Sequence, residues 1–343
     1  MTSTLGSPHP TPQEAERALA GVRWIRKPVA ADGDDTAGGA LNLCYNAIDR
    51  YVVAGRSDER VLVADEAGRV RTWTYAALLE DVAAFAGALR FLGVTEGSAV
   101  PLLLPAGPEL VQALLATWRL GAVAYVLPPG SEAAEVAESL VALAPPVLLT
   151  AADAPWTEAL STAAAQGAAP GSVVVRSTPG VETALTEPRD LDWDFVVRAG
   201  RQDPAPCARR RSEDPAYAVP GAAGWETYLG GDAALRAAGA ADALRLGEGV
   251  TWWAPLPVAS DVGVTFGVLA PLISGAAMVV SGAASPARSG GGLLQDPIAR
   301  AHHVTAAVEV GEDLAGEGEG SGGTVLSLDT AAGARTVLWS SRG

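Results

Sequence analysis

The chain has 343 residues, 49% of them hydrophobic and only 18% charged. That supplies one large core or two packed subdomains and excludes a largely disordered chain. Its net charge of −15 excludes nucleic acid and anionic membrane surfaces as partners, because both would repel it.

Lys27 is the only lysine, and every other strong base is arginine. Cys44 and Cys207 are too few for a disulfide framework or a cysteine-based zinc site. Two reduced thiols are expected, with a single bridge as the alternative. Residues 1–13 contain no apolar run of the kind a secretory leader needs, so a cytoplasmic location is expected. The most apolar stretch, 250–280, is interrupted by Pro255, Pro257, Asp261 and Pro271. It reads as strand–helix–strand in a buried sheet rather than as a membrane span.

In chain order, Thr11-Pro12-Gln13-Glu14 is a capping box that opens a short helix to about Val22. Residues 32–39 read as a loop and 41–53 as a helix. Val61–Ala64 and Val70–Trp73 flank a Glu-Ala-Gly turn and predict a hairpin. Leu78, Val82, Phe85, Leu89 and Leu92 then recur at helical spacing, and Gly93 supplies a stop. From 100 to 150, short apolar runs (100–104, 123–127, 147–150) alternate with helical segments (108–120, 132–143). Strands that are apolar throughout and alternate with helices predict an α/β fold, with parallel sheets covered by helices on both faces. Further strands are predicted at 173–176, 216–219, 250–254, 277–280 and 304–310, and helices at 232–244, 262–273 and 296–302. Segments 282–292 and 311–323 are rich in small residues, the second also in acids.

Several ordered segments resemble the acetyl-/propionyl-CoA synthetase group of the adenylate-forming superfamily. They are the run from Leu41 to Arg50, Arg71-Thr72-Trp73-Thr74-Tyr75, Phe85 to Arg90, and Leu102 to Glu109. Trp118 to Val123, Asp192-Trp193-Asp194 and Glu213 to Tyr217 continue the series. The resemblance implies part of that family's large α/β domain. It divides the chain into a tail and helix (1–40), a first α/β subdomain (41–212), a second (213–310) and an acidic glycine-rich segment (311–343). The family's motifs beyond Gly323, and its small C-terminal domain with a catalytic lysine, are not found, so a shortened relative is expected.

After Tyr217 the family places a hydroxyl- and glycine-rich phosphate loop that ends in lysine. Here that stretch reads Pro220-Gly221-Ala222-Ala223-Gly224-Trp225-Glu226-Thr227. Gly221 and Gly224 survive, most hydroxyls and the lysine do not, and Glu226 brings a negative charge toward where phosphates would lie. Ser139 falls where CoA-using relatives often carry a phosphate-binding arginine. No cofactor is therefore expected, and neither ATP nor CoA binding.

The acyl-pocket region is kept in outline, with Trp253, Val258, Asp261 and Phe266 as candidate lining residues beside Gly221, Gly224 and Trp225. Asp261 also reads simply as the cap of the helix that follows. Glu309 and Glu312, at the end of a predicted parallel strand, could act with Glu226 as an acid/base or cation-binding group, or form a solvated acidic loop. His302-His303 diverge on a helix and read as dipole partners rather than metal ligands, and no metal is expected.

Three functions follow. The first is a degenerate synthetase homologue that binds a small acyl or carboxylate ligand without adenylating it. The second is a non-catalytic partner of a full-length synthetase or carrier protein, or a homo-oligomer. The third is a repurposed biosynthetic enzyme built on Glu226, Asp261, Glu309 and Glu312.

Overall fold

The computed structural model describes residues 3–5, 12–27, 38–66, 69–281, 294, 296–310, 323–330 and 333–340. The chain forms two compact units, each discontinuous in sequence. One comprises residues 1–23, 46–75 and 233–343, the other 24–45 and 76–232.

The unit of residues 24–45 and 76–232 is built on a seven-stranded sheet. Its strand order is Gly224–Leu229, Pro215–Gly221, Val123–Val126, Ala99–Leu103, Val147–Ala151, Ser172–Arg176 and Asp190–Asp192. All neighbours are parallel except the first pair, which is an antiparallel hairpin. Every residue of Val147–Ala151 is buried, as expected of a strand covered on both faces. One face packs Leu103, Leu148 and Val173 against Val136 and Leu140 of helix Ala133–Leu143 and against Trp156 and Leu160 of helix Trp156–Ala165. Glu132 caps the first of these helices through a reciprocal capping box with Glu135.

Helices Tyr75–Phe91 and Trp193–Gly200 cross at close range. The rings of Phe85 and Trp193 meet with centroids 4.3 Å apart. A Cβ on Gly87 would lie 2.0 Å from the Asp203 carbonyl oxygen, and one on Gly200 would lie 1.9 Å from that of Ala84. The crossing exists only because both residues lack a side chain.

The other unit holds an eight-stranded mixed sheet. Its order is Ser3–Leu5, Gly333–Ser340, Gly323–Thr330, Ala306–Val310, Thr251–Trp253, Ala277–Ser281, Arg60–Glu66 and Arg69–Thr74. Thr251–Trp253 runs parallel to both of its neighbours. Tyr51 donates to the Ile273 carbonyl, and Arg50 Nη2 donates to the same oxygen at 2.6 Å. Among the described residues no helix is long and apolar enough to cross a membrane.

Several sequence expectations change. The helix expected over 41–53 starts later: Ala40–Leu41 is a short strand, and Tyr45–Asp49 is a π-helix that continues into Arg50–Val53. The π-turn recurs at Thr265–Leu269 within the helix expected over 262–273. Helix Trp156–Ala165 was not expected, although Trp156, Ala159, Leu160 and Ala163 form a buried stripe at helical spacing. Its alanine content hides the stripe, since alanine occurs on both faces. The paired strands Gly323–Thr330 and Gly333–Ser340 were also not expected; the short apolar runs Val325-Leu326 and Val337-Leu338-Trp339 are the overlooked signal. Thr11, the Glu-Ala-Gly turn beyond Glu66 and the stretches 282–292 and 311–322 lie outside the described residues.

Asp190 carries a pH dependence. Burial pushes its carboxyl up, but the Arg189 side chain (Nε–Oδ1 2.5 Å), the Thr186 N–H (2.9 Å) and the Arg189 charge together hold it below the usual range. A lowered folded-state pKa stabilises fully above the unfolded value of about 3.9 and is lost as pH falls through the folded one. Stability should therefore decline below about pH 4, and Asp190→Asn should flatten that decline in an acid-denaturation series. Gly200→Ala and Gly87→Ala should each lower the melting temperature. Their helix-propensity gain of about 1 kcal/mol is smaller than the strain of a carbonyl oxygen near 2 Å. Gly239→Ala, in helix Gly230–Leu244 with nothing within 4 Å of the added carbon, should raise it slightly. Thermal melts of the three variants distinguish these outcomes.

Candidate functional site

The residues singled out from sequence fall in both units, and each group is described in its own. In the seven-stranded unit, Gly221, Gly224, Trp225 and Glu226 come together at the tip of the hairpin. The stretch expected to be a phosphate loop is instead a two-residue turn: Gly221 pairs with Gly224 across Ala222-Ala223, and Pro220 pairs with Trp225. Gly224 has φ +118°, a backbone conformation that only glycine adopts without strain. The stretch is thus strand and tight turn rather than an open loop, and only alternate peptide groups of the edge strand Gly224–Leu229 face its partner.

Alternation along the second hairpin strand sends its side chains to opposite faces. Trp225 packs inward on the Leu103 and Trp156 core and meets Tyr125 edge-on, with centroids 5.0 Å apart. Glu226 points outward and is exposed, and its stem lies over Gly221, 2.5 Å from where a Cβ would stand. Tyr228 donates to Glu226 at 3.3 Å and stacks on the buried Tyr217 at 4.7 Å. A small pocket at the base of this hairpin is lined by Leu41, Asn42, Trp118, Arg210, Asp214 and Ala216. Its Arg210 is paired with Asp214 at 3.4 Å and with Glu96. The Asp214 carboxyl is pushed up by burial, yet the Arg211 N–H and the neighbouring guanidinium groups hold it below the usual range.

In the eight-stranded unit, strand Thr251–Trp253 leads into a turn and then helix Asp261–Val264. The cap is Ser260, not Asp261: Ser260 Oγ accepts from the Gly263 N–H at 3.1 Å and donates to the Pro257 carbonyl at 2.5 Å. Asp261 is buried, 2.5 Å from Arg236 Nη2, and accepts from Thr265 Oγ1 at 3.2 Å. A buried carboxylate needs such partners, so Asp261 is committed to its ion pair. Trp253 lies in the core with Val63, Val279, Ala299 and Ala307, and Phe266 is fully buried. The Phe266 carbonyl accepts from the Trp252 indole at 2.7 Å inside the π-turn. Val258 and Ser260 are half-buried on the turn itself.

Glu309 is the next-to-last residue of strand Ala306–Val310, opposite Ser327 of the antiparallel neighbour. Glu312 lies outside the described residues. His302 is not a simple dipole partner, because its Nε2 lies 2.8 Å from Asp65 Oδ2. Sequence reasoning did not single out Arg236 or Asp65. Arg236 is the one basic residue of the alanine-rich helix Gly230–Leu244, and that was the available signal.

The hairpin's composition and closure fit a nucleotide phosphate poorly: it has no lysine, its loop is reduced to a two-residue turn, and a carboxylate stands over that turn. The position expected to hold a CoA-contacting base is also uncharged, since Ser139 Oγ donates to the Glu135 carbonyl of its own helix at 2.9 Å.

Comparison with known proteins agrees with the fold. Residues 50–219 match the family model described as AMP-binding enzyme. An uncharacterized protein of Pseudomonas aeruginosa is 33% identical over 71% of this chain and 41% of its own length. Human mitochondrial acyl-CoA synthetase short-chain family member 3 is 28% identical over 69% of this chain and 37% of its own length. Acetyl-coenzyme A synthetase of Deinococcus radiodurans is 38% identical over 47% of this chain and 26% of its own. The chain thus spans less than half the length of these relatives. The crystal structure of Brucella canis acyl-CoA synthetase superimposes with TM-score 0.61 at 22% identity, over 78% of this chain and 45% of that one, a likeness of fold. These matches together place the chain in the adenylate-forming superfamily of AMP-binding enzymes, on its acyl-CoA-synthetase-like side.

Proposed function

We propose that this chain is an acyl-CoA-synthetase-like protein that holds a small acyl or carboxylate ligand and does not adenylate it. The observation that carries the reading is the hairpin Pro215–Leu229. Where a synthetase needs donors and a cation, this chain has a two-residue turn of alanines, an exposed glutamate and no lysine. Each phosphate charge brought about 4 Å from Glu226 would cost about 1 kcal/mol even at water-like dielectric. No arginine within Pro220–Thr227 offsets it.

The ligand side of the reading rests on the turn after Thr251–Trp253. That turn leaves the carboxyl end of a parallel strand, where α/β sheets place their ligands. Val258 and Ala259 offer it a small apolar wall. The Asp261 charge is matched by Arg236, so it does not repel an incoming carboxylate. The relatives named for acetyl and short-chain acyl groups suggest the size class.

Three expected outcomes test the proposal. Pyrophosphate release from Mg-ATP with acetate or propionate should stay at the no-protein background while a full-length acetyl-CoA synthetase turns over in parallel. Turnover above background overturns the reading. In saturation-transfer NMR, propionate should receive magnetisation from the protein, and Val258→Trp should abolish the transfer; no transfer to acetate, propionate or butyrate removes the ligand half of the proposal. Glu226→Lys should tighten a fluorescent ATP analogue by up to about tenfold, as expected when one like charge becomes an opposite one. Equal affinity in both proteins would show that Glu226 does not face the nucleotide.

A further inference from the structure

Arg119 ends helix Pro108–Arg119 and is buried, only 7% exposed. Its Nε donates to the Ala205 carbonyl at 2.6 Å. Its Nη1 is directed at two sulfurs, Cys207 Sγ at 3.1 Å and Cys44 Sγ at 3.5 Å. The two sulfurs lie within 4.8 Å of one another, although their residues are 163 positions apart in the chain. Cys44 is fully buried, whereas Cys207 is half-buried in an irregular segment with partial access to solvent.

The backbone around both cysteines is already pinned. Asn42 Nδ2 donates to the Trp118 and Ala208 carbonyls, each at 2.8 Å. The Ala208 N–H donates to the Arg119 carbonyl at 2.7 Å. These bonds hold the segments of Cys44 and Cys207 beside one helix end, with the sulfurs within 4.8 Å of one another. A disulfide requires the sulfurs to close to about 2.0 Å. One guanidinium nitrogen thus lies within hydrogen-bond reach of both sulfurs.

We propose that Cys44 and Cys207 are a peroxide-reactive dithiol, with Cys207 the attacking and Cys44 the resolving sulfur and Arg119 as positioning residue. The Cys207 thiolate attacks one oxygen of a hydroperoxide, the O–O bond breaks, and Cys207 becomes a sulfenic acid as the leaving oxide takes up a proton to give water or an alcohol. The Cys44 thiolate then attacks the Cys207 sulfur. An S–S bond forms, and hydroxide leaves and is protonated to water. For hydrogen peroxide the sum is two thiols and one peroxide giving one disulfide and two waters: the dithiol is oxidised by two electrons and the peroxide reduced by two. The product staples Cys44 to the irregular segment before strand Arg210–Arg211, and a thiol reductant restores it.

The test uses the full chain and hydrogen peroxide. Wild-type protein should lose both titratable thiols together and lose two hydrogens in intact mass. Its digest should contain a Cys44–Cys207 cross-linked peptide that dithiothreitol removes, and the oxidised form should melt at higher temperature. In Cys44→Ser, dimedone should trap a sulfenic acid at Cys207. In Cys207→Ser, Cys44 should stay a thiol, because it is sealed from solvent. Arg119→Lys, checked for folding by circular dichroism, should react about tenfold more slowly. If that variant does not fold, the wild-type cross-link decides alone. Thiols that persist in folded wild-type protein under peroxide that oxidises glutathione, over-oxidation with no cross-linked peptide, or a bridge found only between two chains would each overturn the proposal.

Discussion

A guanidinium taken out of water must find acceptors, and Arg119 imposes that demand at the end of a buried helix. Its side chain reaches the Ala205 carbonyl and two sulfurs, and its own carbonyl accepts from Ala208. Asn42 closes the knot by bonding Trp118 and Ala208 from the other side. Two connecting segments far apart in sequence are thereby fixed to one helix end. Strand Ala40–Leu41 pairs with Arg210–Arg211 directly beside this knot, and the first of the hairpin strands follows at Pro215. The position of the candidate nucleotide-facing hairpin thus depends on one buried charge having its partners.

The hairpin is held by contacts that do not involve a ligand. Tyr217, Tyr228, Trp225 and Tyr125 knit its two strands to each other and to the sheet by ring contacts. Those contacts are apolar and do not depend on what the turn binds. A stretch with two alanines at its turn, no lysine and an outward Glu226 therefore keeps its strands paired, and on the proposed reading it offers an anion little to bind. In the other unit, Arg236 and Asp261 neutralise each other beneath the turn after Trp253. A free charge there would have to be matched by a ligand; a matched one leaves selection to the small apolar residues of the turn. The repurposed-enzyme alternative loses appeal on the same ground, because one of its carboxylates already has two protein partners.

The sequence by itself determined the fold class, through continuous apolar strands alternating with amphipathic helices at 100–150, and the family resemblance, through ordered segments that are local in sequence and need no long-range packing to be read. It also determined the absence of lysine from the 220–227 stretch, since composition needs no geometry. Tertiary structure decided the rest. Whether residues 220–227 form an open loop or a closed hairpin depends on cross-strand pairing that no local pattern encodes. Ser260 rather than Asp261 became the helix cap because Arg236, far away in sequence, claimed the carboxylate. The convergence of Cys44, Cys207 and Arg119 was likewise invisible. Side-chain chemistry is written residue by residue, but which groups share a desolvated space is set by long-range packing, and only that packing turned two unremarkable cysteines and one arginine into a cluster.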